Sequence, residues 1–368
     1  MKPFIIPTPR NVDRKVRENR MNSQERRSAT VDIAKGIAIL LVVYGHSLRG
    51  MVYANLLPDS SWLIPTNYLV YTFHMPVFFL LSGLFFRSSA KKGASSFWTG
   101  RFKSIVYPYF LWSLIQGAFQ LALAGTGAVN STFHSSDLLG ILWRPIVPFW
   151  FLYALFFSNV VAMLVQRARP IAVVAVALIA FLAATRYAPD IVCDIAYGFL
   201  YFSLGILMRE RDLLRRIPST WSISALLCLA FLATGIACYV LKVPERLPLP
   251  AAILGMLATL AVSRTLDESA SARPFADILQ GLGRCSMSIY VLHILVLAFV
   301  RTICLRVLGI HSPLLLMPPA IATAVVAPIV LQVIGTRLGI NAWMGFPAVA
   351  DPVEGTAKTT KTSSQTAL

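Results

Sequence analysis

The sequence predicts an all-α, polytopic integral membrane protein of about ten transmembrane helices, with both termini on the cytoplasmic side. Three observations carry this prediction: the composition, the length of the apolar runs and the distribution of Lys and Arg between alternate loops. Of 368 residues, 57% are apolar and 13% charged, and the mean hydropathy is +0.68. Soluble domains are nearer ~45–50% apolar and about 25% charged. A water-soluble fold of this composition would lack the polar surface to cover itself.

Apolar runs lie near residues 30–49, 67–86, 105–125, 146–165, 170–187, 191–208, 221–241, 249–265, 285–305 and 314–335. A helix needs about 20 mostly apolar residues to cross a hydrocarbon core of roughly 30 Å. The runs 170–187 and 249–265 fall short of this and read as tilted or partly re-entrant spans. With the N-terminus in the cytoplasm, the cytoplasmic segments hold 25 Lys and Arg and the opposite face seven, while Lys35 lies inside the first span. That asymmetry follows the positive-inside rule. The net charge of +17 is thereby a topology signal and a contact for anionic membrane lipids. No nucleic-acid-binding module accompanies it, so nucleic acid is not an expected partner.

Three segments follow: a basic cytoplasmic N-terminal tail (1–28), a transmembrane domain (29–340) and a flexible cytoplasmic C-terminal tail (341–368). The first tail is Arg-rich and has no apolar core of its own, so it is not a signal peptide. The second ends in a Thr/Ser/Lys stretch of disordered type. The five cysteines, Cys193, Cys228, Cys238, Cys285 and Cys304, lie in apolar spans without ligand spacing; neither a metal site nor a disulfide framework is indicated.

Ionisable groups inside a span are costly and are functional candidates by default. The first span carries Asp32, Lys35 and His46. Lys35 and His46 are eleven positions apart, about 20° beyond three full helical turns, so both project from one face about 16 Å apart. Asp32 shares the Lys35 face at i,i+3. The second span runs back the opposite way with His74, placing it at a depth similar to His46, beside a backbone loosened by Pro76. Ser82 and Gly83 are small enough for close helix approach. The plainer readings are that a membrane histidine is hydrogen-bonding glue between helices, and that Asp32–Lys35 marks the interface. His293, in Ser288-Ile-Tyr-Val-Leu-His, stands between the two readings. Trp62, Trp143 and Trp150 either stack on the flat face of a ligand or anchor at the interface. The longest outer loops, 50–66 and 126–145, are the first candidates for recognising a ligand on the outer face.

These residues carry a resemblance to the membrane acyltransferase-3 family. Lys35 followed after ten residues by His46 resembles its opening motif. Phe78, Phe79, Ser82 and Gly83 resemble its Phe-Phe-x-x-Ser-Gly motif, after a Phe-His-Met-Pro at Phe73 to Pro76. Arg101-Phe-Lys103-Ser-Ile-Val-Tyr107-Pro108 resembles its basic stretch before Tyr-Pro, although Ser104 stands where a second Arg is usual. Phe149-Trp150-Phe-Leu152 resembles its Trp-Phe-Leu element, and Tyr290-Val-Leu-His293 its late Tyr-x-x-His element. The similarity covers about residues 28–335, and the first third looks most like the fucose 4-O-acetylase-related branch. That branch includes an enzyme of root-nodule bacteria that acetylates fucose on a lipo-chitooligosaccharide nodulation signal.

The resemblance implies an enzyme of the bacterial inner membrane, an O-acetyltransferase that takes acetyl groups from cytoplasmic acetyl-CoA as a cosubstrate. It places them on sugar hydroxyls of exported or lipo-oligosaccharide glycans. An imidazole, with a reference pKa near ~6.5, suits general-base work at neutral pH. His46 is then the base or a transient acetyl carrier, and His74 assists the proton transfer or binds the oxyanion. Lys35, Arg101 and Lys103 bind the CoA phosphates at the cytoplasmic face, and the gap of about 16 Å to His46 suits an extended pantetheine arm. Asp194 is the one acidic residue offered as an orienting group for His46. Two other classes stay open: a proton-coupled secondary transporter or glycan flippase, and a non-catalytic scaffold. Use of acetyl-CoA by membranes separates them from the enzyme.

Overall fold

The computed structural model describes residues 9–58, 61–122 and 134–346, with side chains from residue 29 onward. The basic tail before residue 29 therefore lies outside the described side chains. Residues 347–368 and the 126–133 part of the longest outer loop lie outside the described residues altogether. Ten principal helices follow in order: α1 (Pro9–Tyr53), α2 (Leu63–Leu84), α3 (Tyr107–Ala122), α4 (Trp150–Leu164), α5 (Pro170–Tyr187), α6 (Asp190–Glu210), α7 (Trp221–Val240), α8 (Leu249–Glu268), α9 (Ser286–Arg306) and α10 (Pro313–Arg337). No strand occurs among the described residues.

Each apolar run of the sequence is a helix, but not every helix is a full span. Among the described residues, eight helices are long and apolar enough to cross a membrane: Ala29–Tyr53 of α1, Leu63–Ala90 beginning with α2, and α5 to α10. α3 has 16 residues and α4 has 15, short of the ~20 that a perpendicular span requires. The run that α3 belongs to starts as a π-helical turn, Phe102–Val106. Pro145 and Pro148 keep the chain ahead of α4 non-helical until Trp150.

Proline also sets the starts of other helices. Pro170 and Pro313 open α5 and α10, and Pro250 is the second residue of α8, where the missing N–H costs nothing. At the end of α10, Gly339 takes φ 71°. Its N–H donates to Thr336 O (3.1 Å) and that of Ile340 to Gly335 O (2.9 Å), the paired bonds of a Schellman cap.

α1 and α2 form the centre. α1 packs on α2, α8, α9, α10 and a short helix, Arg273–Arg284; α2 packs on α6, α7 and α8; α4 and α5 lean on α6. The α2–α6 crossing depends on Gly83 and Gly205, where a Cβ on either would strike the backbone carbonyl of Phe202 or Leu80. The same device seats Arg273–Arg284 on α1, with Gly36 against the Leu279 backbone and Gly283 against that of Asp32.

The periphery is apolar. Only 17% of the apolar window of α5 and of α7 is buried, against 72% for α2, and Ile171, Val176, Ile179, Leu226 and Leu229 point outward. Such continuous apolar surface is foreign to a water-soluble monomer and suits lipid. The interior holds polar groups instead, among them Ser158, Asn159, Ser288 and Gln332, all buried. Ser288 Oγ donates to Gln332 Oε1 (2.7 Å), joining α9 to α10.

Ion pairs tie the two ends of the bundle. Arg87 bonds Glu210 at 2.6 Å, joining the chain after α2 to the end of α6. At the other end, Arg49 bonds Glu245 (2.5 Å) and Arg246 bonds Asp194 (2.6 Å). Residues 341–346 correct the expectation of a flexible tail beginning at 341. Tyr107 and Trp112 donate to the carbonyls of Trp343 (2.6 Å) and Met344 (3.0 Å). Phe346 stacks on Trp112 with centroids 5.7 Å apart and planes 11° apart. Two tethered carbonyls and a buried ring hold this segment against α3.

Candidate active site

The site forms where α1, α2 and α9 meet. His46 of α1 is half-buried, while His74 of α2 and His293 of α9 are fully buried. A ladder of rings crosses the three helices. His293 lies 5.1 Å from His46, His46 lies 6.0 Å from Tyr71, and Tyr71 lies 4.7 Å from His74, centroid to centroid. His46 and His74 thus share one site, but they do not face each other directly. Tyr71 stands between them, and the imidazole beside His46 is that of His293. Gly45 admits Tyr71, whose Cε2 would lie only 2.8 Å from a Cβ there.

Backbone carbonyls fix two of the three imidazoles. His74 Nδ1 bonds Val70 O at 2.6 Å, and His293 Nδ1 bonds Tyr290 O at 2.7 Å and Ile289 O at 3.1 Å. A carbonyl only accepts, so each Nδ1 carries the proton and each Nε2 keeps a bare lone pair. In this tautomer His74 has no N–H left for an oxyanion. Its free nitrogen is then an acceptor, which suits the proton-handling role considered for it better than the oxyanion role. Arg49 supplies positive charge instead, with its guanidinium 3.2 Å from the Tyr71 ring centroid. The Tyr71 hydroxyl is buried without a partner.

Two cavities meet at His46. One, of about 430 Å³, is the more polar and is lined by His46, Arg49, Tyr71, His74, Arg144, Trp150, Asp194, Arg246 and Tyr290, among others. The other, of about 500 Å³, is largely apolar and is lined by Met51, Val147, Ile294, Leu297 and Ala298, with His46, Arg49, Gln116 and Arg301 at its polar positions. His46, Arg49 and Val147 belong to both walls. Tyr290 is held in place by donating its hydroxyl to Pro148 O (2.5 Å), and Arg246 lies 6.0 Å over the Trp150 ring. Asp194 lines the polar cavity but is paired with Arg246, not with His46.

The remaining predicted residues sit apart from the cavities. Asp32 Oδ1 and Lys35 Nζ do share a face, 3.1 Å apart, and Arg284 approaches Asp32 at 3.7 Å. Arg101 is half-buried with its guanidinium 4.9 Å from the Phe97 ring, and Lys103 is exposed on the π-helical turn. None of these basic groups lines either cavity. Phe79 packs on Phe151 and Trp150, and Phe78 on Phe151. Ser82 Oγ donates to Phe78 O (2.8 Å). The sequence reading missed Arg49, Tyr71 and Gln116. The first two had a visible signal, each lying three residues from a singled-out histidine and hence on its face; Gln116 had none.

The acyltransferase domain family matches residues 28–333. Among curated proteins, the chain is similar to nodulation protein NolL of Sinorhizobium fredii, 29% identical over 234 residues that make up 57% of this chain and 58% of that one. It is also similar to nodulation protein NolL of Mesorhizobium japonicum, 28% identical over 192 residues, 50% of this chain and 48% of the other. The chain thus spans about half the length of the curated relatives it matches. No solved structure is significantly similar to it. With the family's domain extending over most of its length, from before the Lys35–His46 pair to beyond His293, the chain belongs to the membrane acyltransferase-3 family.

Proposed function

We propose that this membrane acyltransferase moves an acetyl group from acetyl-CoA to a sugar hydroxyl of an exported or lipo-oligosaccharide glycan in the bacterial inner membrane. Fucose on a nodulation signal is the acceptor to test first, by similarity to proteins named for nodulation. One observation carries the reading: the imidazole of His46 forms the common wall of a polar and an apolar cavity. A base at the junction of a polar and an apolar cavity suits an acceptor that carries a sugar hydroxyl beside a hydrocarbon part.

His46 removes the proton of the sugar hydroxyl as its oxygen attacks the thioester carbonyl. A C–O bond forms and the C–S bond breaks. The proton then passes from His46 to the departing CoA sulfur. Arg49 and the Tyr71 hydroxyl face the charge that develops on the carbonyl oxygen. The polar cavity, with Trp150 and three arginines, receives the sugar. The apolar cavity receives the hydrocarbon part of a lipid-bearing acceptor. The donor approaches from the Lys35 end, with Lys35, Arg101 and Lys103 toward its phosphates.

The test is acetyl transfer in isolated membranes from labelled acetyl-CoA to a fucosylated lipo-oligosaccharide, comparing the native chain with His46→Ala at equal expression. Label on the acceptor that is lost in the variant supports the reading. Label that persists in the variant removes His46 from the mechanism. An acetyl adduct on His46 trapped without acceptor replaces the base by a covalent carrier. Absence of label on any glycan favours a transporter or flippase.

A further inference from the structure

The proposed base needs a partner that fixes which of its nitrogens faces the substrate. Of the carboxylates near the site, Asp194 is committed to Arg246 and Glu245 to Arg49, and Asp190, which also lines the polar cavity, is exposed at the start of α6. His293 is not. Its Nδ1–H is given to the carbonyls of Tyr290 and Ile289, so Nε2 is an acceptor. That nitrogen is fully buried and has no hydrogen-bond partner, although buried acceptors ordinarily find one.

Two rings contact His293, those of Tyr290 and His46. The Tyr290 hydroxyl is spent on Pro148 O. Of these two rings, His46 is the one with an N–H to offer. The two imidazoles are tilted at 56° with centroids 5.1 Å apart. At this separation a nitrogen of His46 turned toward His293 is within hydrogen-bond reach of a nitrogen on the facing edge of the other ring.

We infer that His293 is the positioning residue of the site: its Nε2 accepts one N–H of His46 and leaves the other His46 nitrogen, lone pair outward, facing the cavities. The inference rests on the reading of His46 as the base. As His46 takes the hydroxyl proton it becomes an imidazolium, and the N–H held by His293 shares that charge until the proton leaves with the CoA sulfur. A neutral imidazole does here what a carboxylate does in a Ser-His-Asp triad, without placing a permanent charge inside a span. The fixed Nδ1–H of His293 makes this possible. Were Nδ1 free, the ring could turn its own N–H toward His46 and the two would compete as donors.

Two readouts test it on the full-length protein in nanodiscs. In kinetics, His293→Ala lowers kcat about 100-fold, with the KM for acetyl-CoA and for the glycan nearly unchanged. His293→Gln, whose Oε1 is again an acceptor, recovers part of the loss, whereas the shorter His293→Asn recovers less. In ¹⁵N spectra of histidine-labelled protein, the His46 signals, assigned by their loss in His46→Asn, show one neutral tautomer in the native chain and a mixture in His293→Ala. If His293→Ala does not fold, the comparison of Gln with Asn decides. Native kcat in the Ala variant, equal rates in Gln and Asn, or an unchanged His46 tautomer each overturn the inference. A single tautomer that depends on His293, in a protein that transfers no acyl group, keeps the positioning and discards the acyl-transfer reading.

Discussion

Gly83→Ala adds one methyl group at the α2–α6 crossing, and its cost follows from what that methyl meets. Its Cβ overlaps the Phe202 carbonyl and lies 3.1 Å from the Gly205 Cα. Both obstacles are backbone, so no side chain can swing aside, and the helices must part by about 1 Å to restore van der Waals contact. Parting them loosens every pair along the crossing, each worth about 0.1–0.2 kcal/mol, and overpacking of this kind costs about 1–3 kcal/mol. Gly205→Ala meets the Leu80 carbonyl from the other side and carries the same penalty. The double variant costs less than the sum, because helices already parted have made room for both methyls. The assay is thermal inactivation in detergent followed by size-exclusion chromatography, with Gly281→Ala as control. Gly281 is helical with open space around its Cα, so alanine there is neutral or stabilising by up to about 1 kcal/mol. Because α2 also carries Tyr71 and His74, acyl transfer falls together with the midpoint. Melting of both single variants at the native temperature, or strict additivity in the double, would refute the reasoning.

Other outcomes are expected. Ala298→Trp, which fills the apolar cavity, raises the KM for a lipid-bearing acceptor several-fold and spares a short delipidated oligosaccharide; equal effects on both would remove the lipid from that cavity. Lys35→Ala raises the Michaelis constant for acetyl-CoA far more than that for the glycan, and an unchanged constant sinks its role at the donor phosphates. Trp112→Ala removes the Phe346 stack and the bond to Met344 O and lowers stability by about 3 kcal/mol, read as faster thermal inactivation. A double-mutant cycle of Arg246→Gln with Asp194→Asn gives a coupling near or below about 1 kcal/mol, because Arg246 is half-exposed and water screens the pair.

Periodicity and punctuation made the helices legible. The run 170–187 coincides with α5 because Pro170 and Pro189 mark both ends. The Lys35–His46 spacing drew attention to α1, which packs at the centre of the bundle, because ionisable groups are conspicuous in an apolar run. The helix Arg273–Arg284 was less visible, since Asp277 and its arginines broke the apolar pattern and left it looking like loop. Its glycines contact α1 only in three dimensions. The His46–His293 contact was hidden for a related reason. Antiparallel reasoning sets consecutive helices side by side and so proposed His74, whereas α9 reaches α1 from far along the chain. Residues 341–346 look like tail because their anchors, Tyr107 and Trp112, lie more than 200 positions away.

Glu245 and Arg246 are neighbours in the chain, yet one grips α1 through Arg49 and the other grips α6 through Asp194. Tyr68 of α2 holds the same loop by donating its hydroxyl to Val243 O (2.7 Å). The 241–248 loop is thus a strap over three helices beside the polar cavity, fastened by charges that remain partly exposed. Exposed pairs weaken as salt rises, over a screening length of about 8 Å at physiological ionic strength. The imidazole ladder contains no permanent charge to screen. Ionic strength therefore acts first on the strap: added salt loosens the rim through which a bulky glycan passes, and Arg49, which grips Glu245 and also lies over the Tyr71 ring, is the point where that loosening meets the site.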